Sequence, residues 1–108
     1  MRGTVFREES EVGQWEIQYR GHTIRVEDSA RRERLFVDDE LQDEFFGFGF
    51  RSRLYGTICD EHGECKALRV ALGGYWSRIC RVFVDNRLVF HSKPDAVARE
   101  AMVRNRKE

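Results

Sequence analysis

Apolar and polar side chains alternate along two neighbouring segments in the first third of the chain. Residues 14–20 place apolar side chains at every second position, and residues 22–28 repeat this arrangement. Such alternation is typical of a β-strand with one buried face. Gly21 lies between the two segments and allows a tight reversal of the chain. The pattern predicts a β-hairpin with one apolar face.

The alternation returns later in the chain. It is present again in residues 66–73, and Gly73 and Gly74 then supply a turn. The next segment, residues 76–85, is apolar on both faces near its end. A strand that is covered on both sides has this composition. These segments predict a second group of strands.

Two segments of the chain resemble each other. RLFVDDEL (34–41) and RVFVDNRL (81–88) are identical at five of eight positions. Upstream, the triplet Ile24-Arg25-Val26 is echoed by Leu68-Arg69-Val70, with three extra residues in the second connection. Each copy is interpreted as a strand, a loop, a strand, a tight turn and a strand. A twofold repeat of this length favours two sheets packed face to face.

The turns within the two copies fall at Asp38-Asp39 and Asp85-Asn86. Short polar side chains of this type tolerate a positive φ angle and bond to the local backbone. The register stays open between two turn lengths. A two-residue turn pairs Phe36 with Leu41 and Phe83 with Leu88, whereas a three-residue turn pairs Val37 with Leu41 and Val84 with Leu88.

The pattern becomes helical after Pro94, the single proline. Ser92 is a candidate N-cap, and an apolar stripe at helical spacing follows. We favour a helix that docks on the sandwich over one that is loosely attached. Residues 1–92 are therefore assigned to a β-sandwich, and residues 93–108 to a C-terminal helix and frayed tail of the same domain. The stripe consists of Val97, Ala98, Ala101 and Met102.

The predicted fold is all-β, an antiparallel β-sandwich of about eight strands from the twofold repeat with one C-terminal α-helix. Its core is expected to consist of the apolar residues on the inward face of each strand. These residues are Trp15, Ile17, Tyr19, Ile24, Val26, Val37, Leu68, Val70, Leu72, Val82 and Val84.

Composition narrows the class of protein. The 108 residues suffice for one domain, and 19 basic side chains balance 19 acidic ones. Zero net charge disfavours a general polyanion binder but leaves a local basic patch open. No apolar run approaches the roughly 20 residues that span a bilayer, and the first residues lack the apolar region of a secretory signal. We expect a cytoplasmic protein that does not contact membranes.

The three cysteines are Cys59, Cys65 and Cys80. An odd number favours reduced thiols. For the segment CDEHGEC we favour a plain hairpin over a Cys59–Cys65 disulfide or a metal site. A metal site built on Cys59, His62 and Cys65 would need a fourth ligand from Cys80 or His91. No metal or other cofactor is therefore expected.

The segment FFGFGFRSRLY (45–55) has the most unusual composition in the chain. Aromatic rings beside arginines suit single-stranded nucleic acid, because rings stack on bases and cations contact phosphates. GFGF also resembles part of the RNP1 motif of RNA-recognition and cold-shock domains, although Phe46, Arg51 and Arg53 depart from that motif. We favour a strand or wide loop that closes the sandwich, and nucleic acid or another apolar partner remain alternatives. The candidate binding surface consists of Phe46, Phe48, Phe50, Arg51 and Arg53.

The sequence contains no complete catalytic motif. His22, His62 and His91 are scattered, and none lies beside a serine or cysteine in a recognisable nucleophile context. The charged stretch ARRER (30–34) is interpreted as a solvated loop tip between strands. We therefore predict a small non-catalytic binding or protein-interaction module, with single-stranded nucleic acid as the alternative ligand. A homodimer through an exposed sheet edge is also open.

The segments HTIRVEDS, RLFVDDELQDEFF and LYG resemble, in order and spacing, one half of the Fas apoptotic inhibitory molecule fold. That fold is a β-sandwich of repeated V-D-G-K hairpins, and VFVDNRL is similar to its closing hairpin. The resemblance covers residues 14–90. Asp39 and Asn86 replace the usual turn glycine. The resemblance implies a non-catalytic domain with protein partners, and it transfers no site residues.

Overall fold

Two antiparallel β-sheets and one C-terminal helix make up the computed structural model, which describes residues 3–7, 13–29, 31–47, 51–74, 78–93 and 96–106. The first sheet has the strand order β1-β2-β3-β4-β5 and the second the order β6-β7-β8-β9. The predicted all-β fold with a C-terminal helix is confirmed, with nine strands in the described residues where about eight were expected. The bounds are β1 Gly3–Arg7, β2 Gly13–Tyr19, β3 His22–Asp28, β4 Arg32–Val37, β5 Glu40–Phe46, β6 Arg51–Cys59, β7 Cys65–Gly73, β8 Ile79–Val84, β9 Arg87–His91 and α1 Ala96–Arg106.

The internal repeat of the sequence is a repeat of the structure. Strands β3 and β4 pair with Ile24 opposite Val37, and β7 and β8 pair with the equivalent Leu68 opposite Val84. The following hairpins also match, because each carries a register shift one residue before its repeated phenylalanine. One copy of the repeat therefore contributes β3–β5 to the first sheet, and the other contributes β7–β9 to the second.

Both repeated hairpins turn through two residues. The φ angles are 50° and 67° at Asp38 and Asp39, and 54° and 65° at Asp85 and Asn86. Positive φ at both central residues defines the turn that matches the twist of paired strands. The two-residue register is confirmed, since Phe36 pairs with Leu41, and Phe83 pairs with Leu88.

The predicted core residues lie between the two sheets. All of them are buried except Tyr19, which is half-buried and packs against the core. Val82 and the repeat-equivalent Leu35 are both fully buried on the inward faces. Six residues of the core cluster between the sheets are missing from the predicted set, namely Leu35, Leu54, Ile58, Cys80, Val89 and Phe90.

Side chains join the sheets where the chain passes from β5 to β6. The Asp43 carboxylate accepts a hydrogen bond from the Tyr55 backbone N–H at 2.8 Å, and the Gln42 side-chain oxygen accepts one from the Thr57 N–H at 3.3 Å. Gly56 lies between Tyr55 and Thr57 in the chain. A Cβ atom at position 56 would approach the Gln42 Cβ to 3.1 Å. The absent side chain at position 56 thus permits the two edge strands to lie close together.

The helix α1 docks on the sandwich, as we favoured. Ala98 and Met102 are buried, and the helix packs against β9. Ser92 does not act as the predicted N-cap, because its hydroxyl accepts a hydrogen bond from the Cys80 N–H at 2.9 Å and extends the pairing of β8 with β9. Within the described residues, α1 is too short and too polar to cross a membrane.

Candidate functional site

The balanced charge of the chain conceals an uneven distribution between the sheets. The four strands of the second sheet contain six lysine or arginine residues and no aspartate or glutamate. The five strands of the first sheet contain four arginines and seven acidic residues. A local field of one sign attracts ligands of opposite charge even when the net charge is zero. The zero net charge therefore does not exclude an anionic ligand.

Each copy of the repeat presents a phenylalanine with two arginines on the outer face of its sheet. In the first copy, the guanidinium carbons of Arg25 and Arg34 lie 4.3 and 5.5 Å from the centre of the Phe36 ring. In the second copy, those of Arg69 and Arg81 lie 4.1 and 6.0 Å from the Phe83 ring. Such cation–π contacts cover the outward-facing rings.

Among the residues that the structure describes, only the first copy neutralises its arginines with carboxylates. Arg25 forms ion pairs with Glu27 at 3.2 Å and Asp39 at 2.7 Å, and Arg34 pairs with Glu27 at 2.6 Å.

The second copy has Ala71 in place of Glu27 and Asn86 in place of Asp39. Within the described residues, neither Arg69 nor Arg81 forms an ion pair. The repeat thus provides an internal comparison in which the same cationic stack is neutralised in one sheet and remains charged in the other.

A cleft of about 700 Å³ opens on the charged outer face. The strand register aligns Arg53, Ala71, Arg81 and His91 in one row across the second sheet. Ala71 is the small residue of this row, and it lies between the long basic side chains of Arg53 and Arg81. We call this feature the second-sheet cleft, and it is lined by Phe45, Ser52, Arg53, Tyr55, Ala71, Leu72, Gly73, Gly74, Ile79, Arg81 and His91.

The predicted Phe/Gly/Arg surface is only partly described. Phe46 ends β5 and is 66% exposed, while Phe48 and Phe50 lie outside the described residues. The backbone of Arg51 begins β6, and the side chain of Arg53 is exposed at the cleft. The structure adds Phe45 and Tyr55 to this region, because both line the second-sheet cleft. These two residues belong to the segment 45–55 but not to the candidate surface predicted within it. Arg81 and His91 are distant in the chain and were not predicted as site residues.

The expectation of reduced thiols is wrong for Cys59 and Cys65, which form a disulfide. They lie directly opposite each other in the pairing of β6 with β7, with their Cα atoms 3.9 Å apart. The turn is held by Asp60, whose carboxylate accepts hydrogen bonds from the N–H groups of His62 and Glu64 at 2.9 Å.

The disulfide removes both thiolates from the weak metal-site hypothesis on Cys59, His62 and Cys65. Metal ligation requires free thiolates. His62 is exposed at the tip of the hairpin, and Cys80, the candidate fourth ligand, is buried in the core. The described residues contain no group of three potential metal ligands.

Reduction of the Cys59–Cys65 disulfide is expected to lower the free energy of unfolding by about 2 kcal/mol, because the bond restricts a short loop in the unfolded chain. Thermal unfolding with and without a reductant measures the effect. The Cys59→Ser/Cys65→Ser variant serves as the control and should not respond to the reductant. Identical unfolding of the oxidised and fully reduced wild type would contradict the expectation.

A buried polar cluster joins the two sheets at one end of the sandwich. Arg78 Nε donates to Asp28 Oδ2 at 2.8 Å, and Arg78 Nη2 donates to Glu33 Oε2 at 2.9 Å. Ser52 lies on the opposite sheet from Glu33, and its hydroxyl donates a hydrogen bond to Glu33 Oε1. Asp28, Glu33 and Ser52 are all at least nine-tenths buried. The interpretation of residues 30–34 as a solvated loop tip is therefore wrong for residues 32–34, since Arg32 begins β4 and Glu33 faces inward. Arg31 lies in an exposed bend, and residue 30 lies outside the described residues.

Burial raises the pKa of Glu33, and the neighbouring Asp28 carboxylate adds to this effect, although Ser52 and Arg78 oppose it. Hydrogen bonds from the Thr23 N–H and from His22 lower the pKa of the exposed Asp38. The two pKa shifts have opposite signs, so the contributions of Glu33 and Asp38 to stability change with pH in opposite directions.

The contribution of Glu33 to the free energy of unfolding should fall as pH rises above 4.5, the ordinary pKa of this group, because its pKa is higher in the folded protein. In the range just above that pH, the folded protein retains more of the proton on Glu33 than the unfolded chain does. Chemical denaturation of the wild type and of the Glu33→Gln variant across this range isolates the effect. The stability of the wild type relative to the variant should decrease with rising pH, and a constant or increasing difference would contradict the assignment.

Comparison of the chain with protein-family models, curated proteins and solved structures gives no match. The resemblance to the Fas apoptotic inhibitory molecule family therefore stays a prediction from the sequence.

Proposed function

We propose that this chain is a small binding module without catalytic activity and that its partner contacts the outer face of the second sheet. The observation that carries the proposal is the second-sheet cleft, where Arg53 and Arg81 flank the small Ala71 beside the 56% exposed Tyr55. Aromatic and arginine side chains are enriched among residues that dominate binding energy. Their exposure on one rigid sheet pre-organises them for contact with a partner.

The reactive groups of the described residues support a non-catalytic role. Ser52 lines the cleft, but its hydroxyl is committed to the buried Glu33. Burial raises the pKa of the Cys80 thiol, so this cysteine stays protonated within the core. Neither group has the paired base and open access that an activated nucleophile requires.

The charge of the surface modifies the partner expected from the sequence. The family resemblance and the zero net charge both favour a protein partner. Zero net charge no longer counts against an anionic partner, because the charges are distributed unevenly between the two sheets. The partner is instead expected to be anionic at the contact. A homodimer through a sheet edge and a cytoplasmic location remain proposals. The oxidation state of Cys59 and Cys65 in cells bears on the location, because cytosolic proteins rarely keep disulfides.

The proposal is tested by comparing what immobilised variants retain from a cell extract, with proteins and nucleic acids both identified. The site variant is Arg53→Gln/Tyr55→Ser, which removes one cation and one ring from the cleft. The matched control is Arg32→Gln/Leu41→Ser, which changes an exposed cation and the 50% exposed Leu41 on the first sheet. Molecules retained by the wild type and the control but lost from the site variant would support the proposal. Equal retention by all three proteins would contradict it.

A further inference from the structure

We infer that the second-sheet cleft binds single-stranded nucleic acid, with an unpaired base on the Tyr55 side and backbone phosphates on the arginines. This inference rests on the proposed binding function and names the class of partner. It differs from the sequence-based hypothesis in its residues. Arg53 on β6 and Arg81 on β8 line the cleft, and Arg69 on β7 lies outside the lining but pairs directly with the cleft residue Tyr55.

Recognition of phosphates is indicated by arginines that have no carboxylate partner in the part of the chain that the structure describes. Arg53, Arg69 and Arg81 form no ion pair within the described residues. The repeat shows that this fold can neutralise the stack, since Glu27 and Asp39 do so in the first sheet. Three charged guanidinium groups on a sheet without a carboxylate favour a ligand with several negative charges.

Stacking of a base is indicated by the rings beside these cations. Tyr55 pairs directly with Arg69 across β6 and β7, and Arg69 pairs with Phe83 across β7 and β8. Tyr55 is 56% exposed, and Phe45 lines the same cleft at 37% exposure. Flat rings beside arginines form the platform on which unpaired bases stack.

The shape and chemistry of the cleft favour a single strand over other anionic ligands. Paired bases in a duplex are stacked on each other and cannot reach Tyr55. An acidic polypeptide satisfies the arginines but gives the rings no planar partner. The cleft volume of about 700 Å³ accommodates one nucleotide of a longer strand.

Fluorescence anisotropy with a labelled single strand of about 12 nucleotides tests the inference, because sites of this kind span roughly 4–16 nucleotides. The affinity should fall with salt at a log–log slope of about −2, as expected for three phosphate contacts to a single strand. Arg81→Gln should weaken binding about tenfold and make the slope shallower by about 0.7. Tyr55→Ala should weaken binding about tenfold through the loss of stacking.

Arg34→Gln is the matched control, because Arg34 is the repeat equivalent of Arg81 and has its own partner in Glu27. It should leave the affinity and the salt slope unchanged. Equal effects of Arg34→Gln and Arg81→Gln would overturn the inference. So would a Tyr55→Ala variant that binds as tightly as the wild type.

Competition distinguishes the remaining ligands. Unlabelled single strand should compete at least tenfold better than a duplex, a mononucleotide or polyglutamate of equal charge concentration. Equal competition by any of these three would overturn the single-strand assignment. If the wild type binds no strand at low salt but still retains extract proteins through Arg53 and Tyr55, the inference fails and the proposed function stands. If nothing is retained through these residues either, both fail.

Discussion

Replacement of Arg78 by methionine is expected to lower the free energy of unfolding by about 3 kcal/mol at neutral pH. Arg78 is the cation that contacts both buried carboxylates, Asp28 at 2.8 Å and Glu33 at 2.9 Å. Without it, two desolvated carboxyl groups remain side by side. This loss of stability is at the low end of the range for breaking a buried ion pair, because the Arg78 side chain is 27% exposed. Urea denaturation of the wild type and the variant measures the difference.

Two controls accompany the Arg78→Met variant. Adding Asp28→Asn and Glu33→Gln to the same chain removes the uncompensated charge and should recover part of the lost stability. Arg32→Gln removes a surface ion pair with Glu44, 3.5 Å long, and should cost less than about 0.5 kcal/mol. An Arg78→Met protein as stable as the Arg32→Gln protein would show that the buried cluster does not hold the sheets together.

Ile24→Ala and Leu68→Ala should each lower the free energy of unfolding by about 3 kcal/mol. The two residues occupy equivalent positions in the repeat, and their exposed fractions are 0% and 1%. Each truncation leaves a cavity in the shared core between the sheets. Equilibrium unfolding of both single variants measures whether the two copies contribute comparably.

Leu41→Ala provides the surface comparison for these core variants. Leu41 is 50% exposed on β5, and its truncation should cost less than about 1 kcal/mol. A small loss at either Ile24 or Leu68, similar to that at Leu41, would contradict a core built from both copies of the repeat.

The alternating pattern and the internal repeat were sufficient to predict the fold. Alternation assigns each strand a buried face, and the residues predicted from it lie between the sheets. The register of the repeated hairpins stayed open, because Asp38-Asp39 and Asp85-Asn86 lack the glycine that usually marks a two-residue turn. A register shift follows within each hairpin, and no residue in the sequence marks it.

The buried cluster was missed although part of its signal was present in the sequence. Glu33 lies two residues before Leu35 and four before Val37, which both face inward. Since side chains in a strand alternate between its two faces, the same alternation places Glu33 on the inward face. The charged neighbours of Glu33 favoured a loop instead. Its partner Ser52 lies on β6 of the other sheet and its partner Arg78 directly precedes β8, and only the packing of the two sheets brings these residues together.

The second-sheet cleft was missed for a related reason. The net charge of the whole chain is zero, and it hides the absence of acidic residues from the four strands β6–β9. Ala71 can be identified as the replacement for Glu27 only when the two copies are known to share a strand register. The Cys59–Cys65 disulfide depends on register in the same way, since direct cross-strand pairing brings the two residues together.

The central claim is that the second sheet binds an anionic strand because its copy of the repeat lacks the carboxylates of the first. Transfer of those carboxylates by Ala71→Glu/Asn86→Asp tests it most directly, with single-strand affinity at low salt as the measurement. Neutralised arginines should lower the affinity at least tenfold in a variant that still unfolds cooperatively. Unchanged affinity in a folded variant of this kind would contradict the claim.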